Sequence, residues 1–88
     1  MARSMYKVAI IRSAEKSLKN LDRQTKNRIV SQILSLADEP RPHGCRKVLS
    51  EAGLWRLRVG DWRLGYEIND ADQEITIIRI DHRSSFYD

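Results

Sequence analysis

Arg56, Arg58 and Arg63 lie within WRLRVGDWRLGYEI, residues 55–68, on either side of Gly60-Asp61. Gly60-Asp61 fits a two-residue hairpin loop of the kind that takes Gly first, because Gly accepts the positive φ that position requires. That loop pairs Val59 with Trp62, Leu57 with Leu64 and Trp55 with Tyr66 on one face. The other face then carries Arg58 directly across from Arg63, and Arg56 across from Gly65, which offers no bulk to cover the guanidinium. Facing like charges destabilise a sheet, typically by some tenths of a kcal/mol, and Lys, Glu or Thr would serve solubility as well. Three arginines point instead to a phosphate clamp, since their planar forks of donors match phosphodiester oxygens. Trp55, Trp62 and Tyr66, on the opposite face, read as core rather than as base-stacking platforms.

Other residues could extend this chemistry. Residues 41–63 hold six basic groups (Arg41, Arg46, Lys47, Arg56, Arg58, Arg63) against two acidic ones (Glu51, Asp61), a surplus equal to the formal +4 of the whole chain. The total favours an anionic partner only weakly, because many soluble domains carry as much; the clustering is more telling. The closing run RIDHRSSFYD adds Arg79, His82, Arg83 and Tyr87. Whether they join the arginine face depends on the last strand, where Ile75, Ile77, Ile78 and Ile80 do not alternate cleanly and a bulge would shift the facing. His43, in a proline turn, reads as a loop residue with no assigned chemistry. The single Cys45 cannot form an internal disulfide and has no metal-ligand cluster around it, so it reads as a small apolar residue in a reducing compartment. No metal or cofactor is expected.

The elements that must hold these residues follow from periodicity. MYKVAII, residues 5–11, reads as a first strand, with Ser13 placed to cap a helix and Glu15 suited to its first turn. Ala14, Leu18 and Leu21 keep helical spacing. After Asp22 a second helix shows Ile29, Val30, Ile33, Leu34 and Ala37 on one stripe, with Arg23, Lys26, Arg28 and Gln32 on a solvated face. Pro40 and Pro42 end it and Gly44 redirects the chain. Strand-like runs follow at Leu54 to Val59, Trp62 to Asn69 and Glu74 to Asp81. The expectation is an α+β domain over residues 1–88, a strand and helical hairpin packed on a mainly antiparallel sheet. Met5 could be the natural start, making residues 1–4 an extension. The longest apolar runs, such as Val8 to Ile11, are too short to span a bilayer and no signal-peptide region is visible, which suggests a cytoplasmic protein without a membrane partner.

These residues resemble the RelE and ParE toxin superfamily, and within it the RelE-like ribosome-dependent mRNA endoribonucleases. The resemblance runs from Met5 through PRPHGCRKVL and LWRLRVGDWRLGYEI to DHRSSFY. It implies a RelE-like toxin that cleaves mRNA in the A site of the 70S ribosome, the RNA's own 2′-OH attacking the adjacent phosphate, with no metal. Arg63 then looks like the phosphate-stabilising Arg, Arg83 like the Arg that stabilises the leaving group, and Tyr87 like the aromatic residue that stacks on a base. Arg46, Lys47, Arg56 and His82 would contact RNA or phosphate. Where the best-known RelE pattern has lysines, one assigned as general base, this chain has Arg56 and Arg58. An Arg side chain effectively cannot lose its proton, so Arg58 is expected to clamp phosphate and the base to be a displaced group: Tyr87, His82 or a ribosomal component. The resemblance also implies neutralisation by a cognate RelB-like antitoxin, through which the complex could bind operator DNA. ParE-like relatives that inhibit DNA gyrase without nuclease chemistry share much of the hairpin motif, and a silent RNA- or antitoxin-binding relic is a third reading.

Overall fold

The structure, a computed structural model, describes residues 5–82. The chain runs β1 (Lys7–Ile10), α1 (Arg12–Lys19), α2 (Arg23–Asp38), β2 (Arg46–Lys47), β3 (Leu54–Val59), β4 (Trp62–Asn69) and β5 (Glu74–His82). The five strands form one sheet in the order β1-β5-β4-β3-β2. β1 runs parallel to β5, and every other neighbouring pair is antiparallel. This is the expected α+β architecture, with both helices on one face.

The core explains that layering. Ala14 from α1 and Ile29, Ile33 and Leu36 from α2 bury against Leu57, Val59, Leu64, Tyr66, Ile75, Ile77 and Ile80, with Leu18, Leu21 and both tryptophans packed around them. Removing this apolar surface from water is the main force holding helices to sheet. Asp22 caps α2, its carboxylate accepting a hydrogen bond from the Thr25 amide at 3.2 Å. Two expectations fail. The N-cap of α1 is Ile11, without a side-chain cap, and Ser13 lies inside the helix. The cause is the strand: the Ile11 amide is held by the Ile77 carbonyl, so the chain enters the helix directly from its pairing with β5. Leu34, placed on the buried stripe by spacing, is 65 % exposed, while Leu36 takes the buried position.

The β3–β4 hairpin has the expected register: Arg58 faces Arg63, Arg56 faces Gly65 and Trp55 faces Tyr66. Gly60 has φ +62 and Asp61 does not share the positive φ, in keeping with a Gly-first loop. In β5 the register shifts, so that Tyr66 pairs with Ile77 and Gly65 with Arg79, leaving Ile78 as the extra residue of a bulge. Ile75 and Ile77 before it and Ile80 after it therefore all reach the core. Arg79 and Asp81 are turned to the opposite face, where a regular strand would have buried them. Ile78 joins Val48 and Leu54 in a small apolar cluster at one end of that face. Among the described residues, no helix is long and apolar enough to cross a membrane.

Candidate nucleic-acid interface

The sheet face away from the helices carries the arginines. β2, a two-residue edge strand that the composition did not reveal, places Arg46 across from Arg56. Two facing arginine pairs thus stand side by side, Arg46 with Arg56 and Arg58 with Arg63. All four line a cleft of about 380 Å³, to which the turn before β2 contributes His43 and Gly44. That volume falls within the range of about 300–1,000 Å³ common for small-ligand sites. Arg58 is steadied by its own hairpin, its Nε donating to the Gly60 carbonyl at 3.1 Å. The Nε of Arg56 and the Nε and Nη1 of Arg63 are sealed from solvent.

Neighbouring charges are distributed unevenly. Arg79 donates from Nε to Asp81 at 2.9 Å and sits 3.7 Å from Glu51, so carboxylates offset its charge. Asp81 also stands directly across from Arg63 in the sheet register, so the acidic group lies at the margin of the cleft arginines. The cleft is a concave surface rich in arginine, with Arg79 and its carboxylates beside it. Arg58 also borders a second groove, of about 440 Å³, with Asn27, Arg28 and Gln32 of α2. The Arg28 guanidinium lies over the hairpin turn, its Nη1 3.2 Å from where a Cβ on Gly60 would stand. Among the described residues no cluster of three or more His, Cys, Asp or Glu could hold a metal ion.

Other residues of the basic segment serve different ends. Lys47 pairs with Trp55 and holds its ammonium 5.6 Å from the indole ring, on the face away from the cleft. His82 lies opposite Trp62 and packs edge-on against it, with ring centroids 5.4 Å apart, so it too is separated from the arginine cleft. Arg83 and Tyr87 lie outside the described residues. Arg41 is held by Asp70, with Nη2 at 2.9 Å and Nη1 at 3.2 Å from the two carboxylate oxygens, and its guanidinium stacks 5.1 Å over Trp55. Tyr6 donates to the same carboxylate at 2.7 Å. Sequence reasoning placed neither His43 nor Arg28 beside the hairpin arginines. Their signal was weak, because neither belongs to the hairpin and only the tertiary fold brings a proline turn and a helix face to its rim.

The Arg41–Asp70 pair makes a testable anchor. Arg41 first, then the Tyr6 hydroxyl, holds the Asp70 carboxyl below the usual aspartate range. A carboxylate with a depressed folded-state pKa stabilises fully above its unfolded value, near 3.9, and that contribution fades as pH falls through the lower folded value. Asp70→Asn is therefore expected to lower the melting temperature at neutral pH. Melts followed by circular dichroism should show the gap to the unaltered protein closing as the pH is taken into acid below that range.

Comparison with known proteins agrees with this architecture. A family model described as the ParE toxin of type II toxin–antitoxin systems matches residues 8–87. No curated protein matches the sequence. Among solved structures, the archaeal RelE–RelB complex of Pyrococcus horikoshii contains a chain 28% identical with TM-score 0.81, the match covering 93% of this chain and 99% of that one. The RelBE2 toxin–antitoxin complex of Mycobacterium tuberculosis gives 28% identity and TM-score 0.82 over 94% of this chain and 97% of that one. The isolated Escherichia coli RelE toxin, at 15% identity, shares the fold with TM-score 0.75 over 88% of this chain and 83% of that one. With nearly the whole of β1 to β5 inside the matched region, this chain is a RelE-like toxin of the RelE/ParE superfamily and belongs to the ParE toxin family of type II toxin–antitoxin systems.

Proposed function

We propose that the toxin is a ribosome-dependent mRNA endoribonuclease that acts in the cytoplasm and needs no metal or cofactor. The observation that carries this reading is the cleft formed by Arg46, Arg56, Arg58 and Arg63 on the sheet face away from the helices. Attack of a 2′ oxygen on the adjacent phosphate builds a pentacoordinate species with extra negative charge, and the products are a 2′,3′-cyclic phosphate and a 5′-OH. Fixed cations aimed at that charge lower the barrier because they need no reorganisation when it develops. Arg63 and Arg58 are the phosphate-stabilising pair in this reading, Arg56 and Arg46 hold flanking RNA, Arg83 serves the leaving oxygen and Tyr87 stacks on a base. Lys47 and His82, packed on tryptophans, support the sheet from its other face.

The same cleft suits inhibition. An acidic segment of a RelB-like antitoxin lying across it would neutralise the arginines, and electrostatic complementarity of this kind favours rapid and selective association. The solved relatives from P. horikoshii and M. tuberculosis are complexes of toxin with antitoxin, which supports such a partner here. Any operator binding by the pair would pass through the antitoxin.

One observation favours a second reading: the matching family model is named for ParE, so inhibition of DNA gyrase without RNA chemistry is the alternative. Primer extension on a defined mRNA in a reconstituted translation reaction, with and without ribosomes, separates the two. Cuts within A-site codons that require ribosomes are the expected result. Intact mRNA together with inhibited gyrase supercoiling would reject the nuclease.

A further inference from the structure

The nuclease reading needs a group that takes the 2′-OH proton near neutral pH, and guanidinium groups cannot do so. Among the described residues lining the cleft, the arginines, Leu57 and Gly44 offer no such group, which leaves His43, an exposed imidazole. Imidazole is the side chain whose ordinary titration lies nearest neutrality. We propose that His43 is the general base of the cleft, an inference that rests on the nuclease reading.

The turn that carries His43 is anchored on both sides. Tyr66 donates to the Pro40 carbonyl at 2.9 Å, the Arg41–Asp70 pair grips the next residue, and the Cys45 amide donates to the Pro42 carbonyl at 3.0 Å. Gly44, with φ +97, then swings the chain so that Arg46 meets Arg56. A left-handed backbone there is favoured only for glycine, so the geometry that presents His43 beside the arginines is written into the turn. His82, the other histidine, is packed on Trp62 across the sheet.

In the proposed step the unprotonated ring nitrogen of His43 removes the 2′-OH proton while the 2′ oxygen bonds to phosphorus. The bond from phosphorus to the 5′ oxygen breaks, that oxygen takes a proton from solvent, and the imidazolium returns its own proton to solvent. Atoms and charge balance without a further reactant.

The test compares the unaltered toxin, His43→Ala and Arg63→Ala in the ribosome-dependent primer-extension reaction, with and without added imidazole. Loss of a general base typically costs about 100 to 10,000-fold. His43→Ala is expected to fall by at least about 100-fold, with an unchanged circular dichroism spectrum because the residue is exposed, and imidazole should restore part of the cleavage. Imidazole should not restore Arg63→Ala. Full activity in His43→Ala, or loss that imidazole does not repair, would overturn the assignment while leaving the nuclease reading intact. Absence of cleavage by the unaltered toxin would remove that reading, and the assignment with it.

Discussion

Arg63→Ala is expected to reduce mRNA cleavage by about 100 to 1,000-fold, the usual cost of removing one preorganised donor from a site of developing charge. Arg63 stands at the centre of the open face, across from Arg58 on one side and Asp81 on the other. Its Nε and Nη1 are sealed from solvent. Alanine should leave the fold in place, since it also removes a like-charge pairing with Arg58 that disfavours the sheet. Arg63→Lys should recover only part of the loss, because an ammonium keeps the charge but not the fork that grips two phosphate oxygens. Single-turnover cleavage on programmed ribosomes, with thermal melts of each variant alongside, measures both effects. Cleavage by Arg63→Ala at the unaltered rate would show that this cleft does not hold the scissile phosphate.

Tyr66→Ala should act on stability instead. Tyr66 is wholly buried at the centre of the sheet, among the core residues of both helices and the neighbouring strands. Burial pushes its phenol above the usual tyrosine range, so the hydroxyl stays protonated and donates to the Pro40 carbonyl. Truncating a large buried aromatic typically costs about 3–5 kcal/mol, a large part of the about 5–15 kcal/mol available to a small domain. Urea denaturation should show the variant largely unfolded at low denaturant. Tyr66→Phe keeps the packing and loses only the bond to Pro40, a cost of about 1–3 kcal/mol if the carbonyl is left without a partner. It should melt lower yet remain folded, and a Tyr66→Phe protein as stable as the unaltered one would show that the turn does not depend on that bond.

Local patterns were legible where one physical rule dominated. Gly60-Asp61 defined the hairpin because a positive φ at the first loop position sets the register, and with it the face of every arginine. The second helix was legible from the spacing of Ile29, Ile33 and Ala37, which the core buries. The chain was harder to read where distant segments compete for the same residue. Ser13 looks like a cap only until the hold of β5 on Ile11 is known. The isoleucines of β5 resist any single period because a bulge divides them. Basic residues showed a similar limit. Arg41, Lys47 and Arg46 are close in sequence, yet Asp70, the Trp55 ring and the cleft claim them respectively. His43 carried no local signal, since its place at the cleft comes from what β2 and β3 bring beside it.

The parallel pairing of β1 with β5 has a consequence for how the molecule comes into being. Lys7 to Ile10 lie in register with Glu74 to Ile77, and the Lys7 amide donates to the Gln73 carbonyl, all near the far end of the described chain. The hairpins of β3, β4 and β5 are joined by short turns and can zip locally, whereas joining β1 requires closing a loop that contains almost every other element. Such non-local closure is entropically costly and slow. During synthesis the first strand therefore waits, its edge unsatisfied, until the last strand has emerged. A newly made toxin completes its sheet only once β5 has been synthesised.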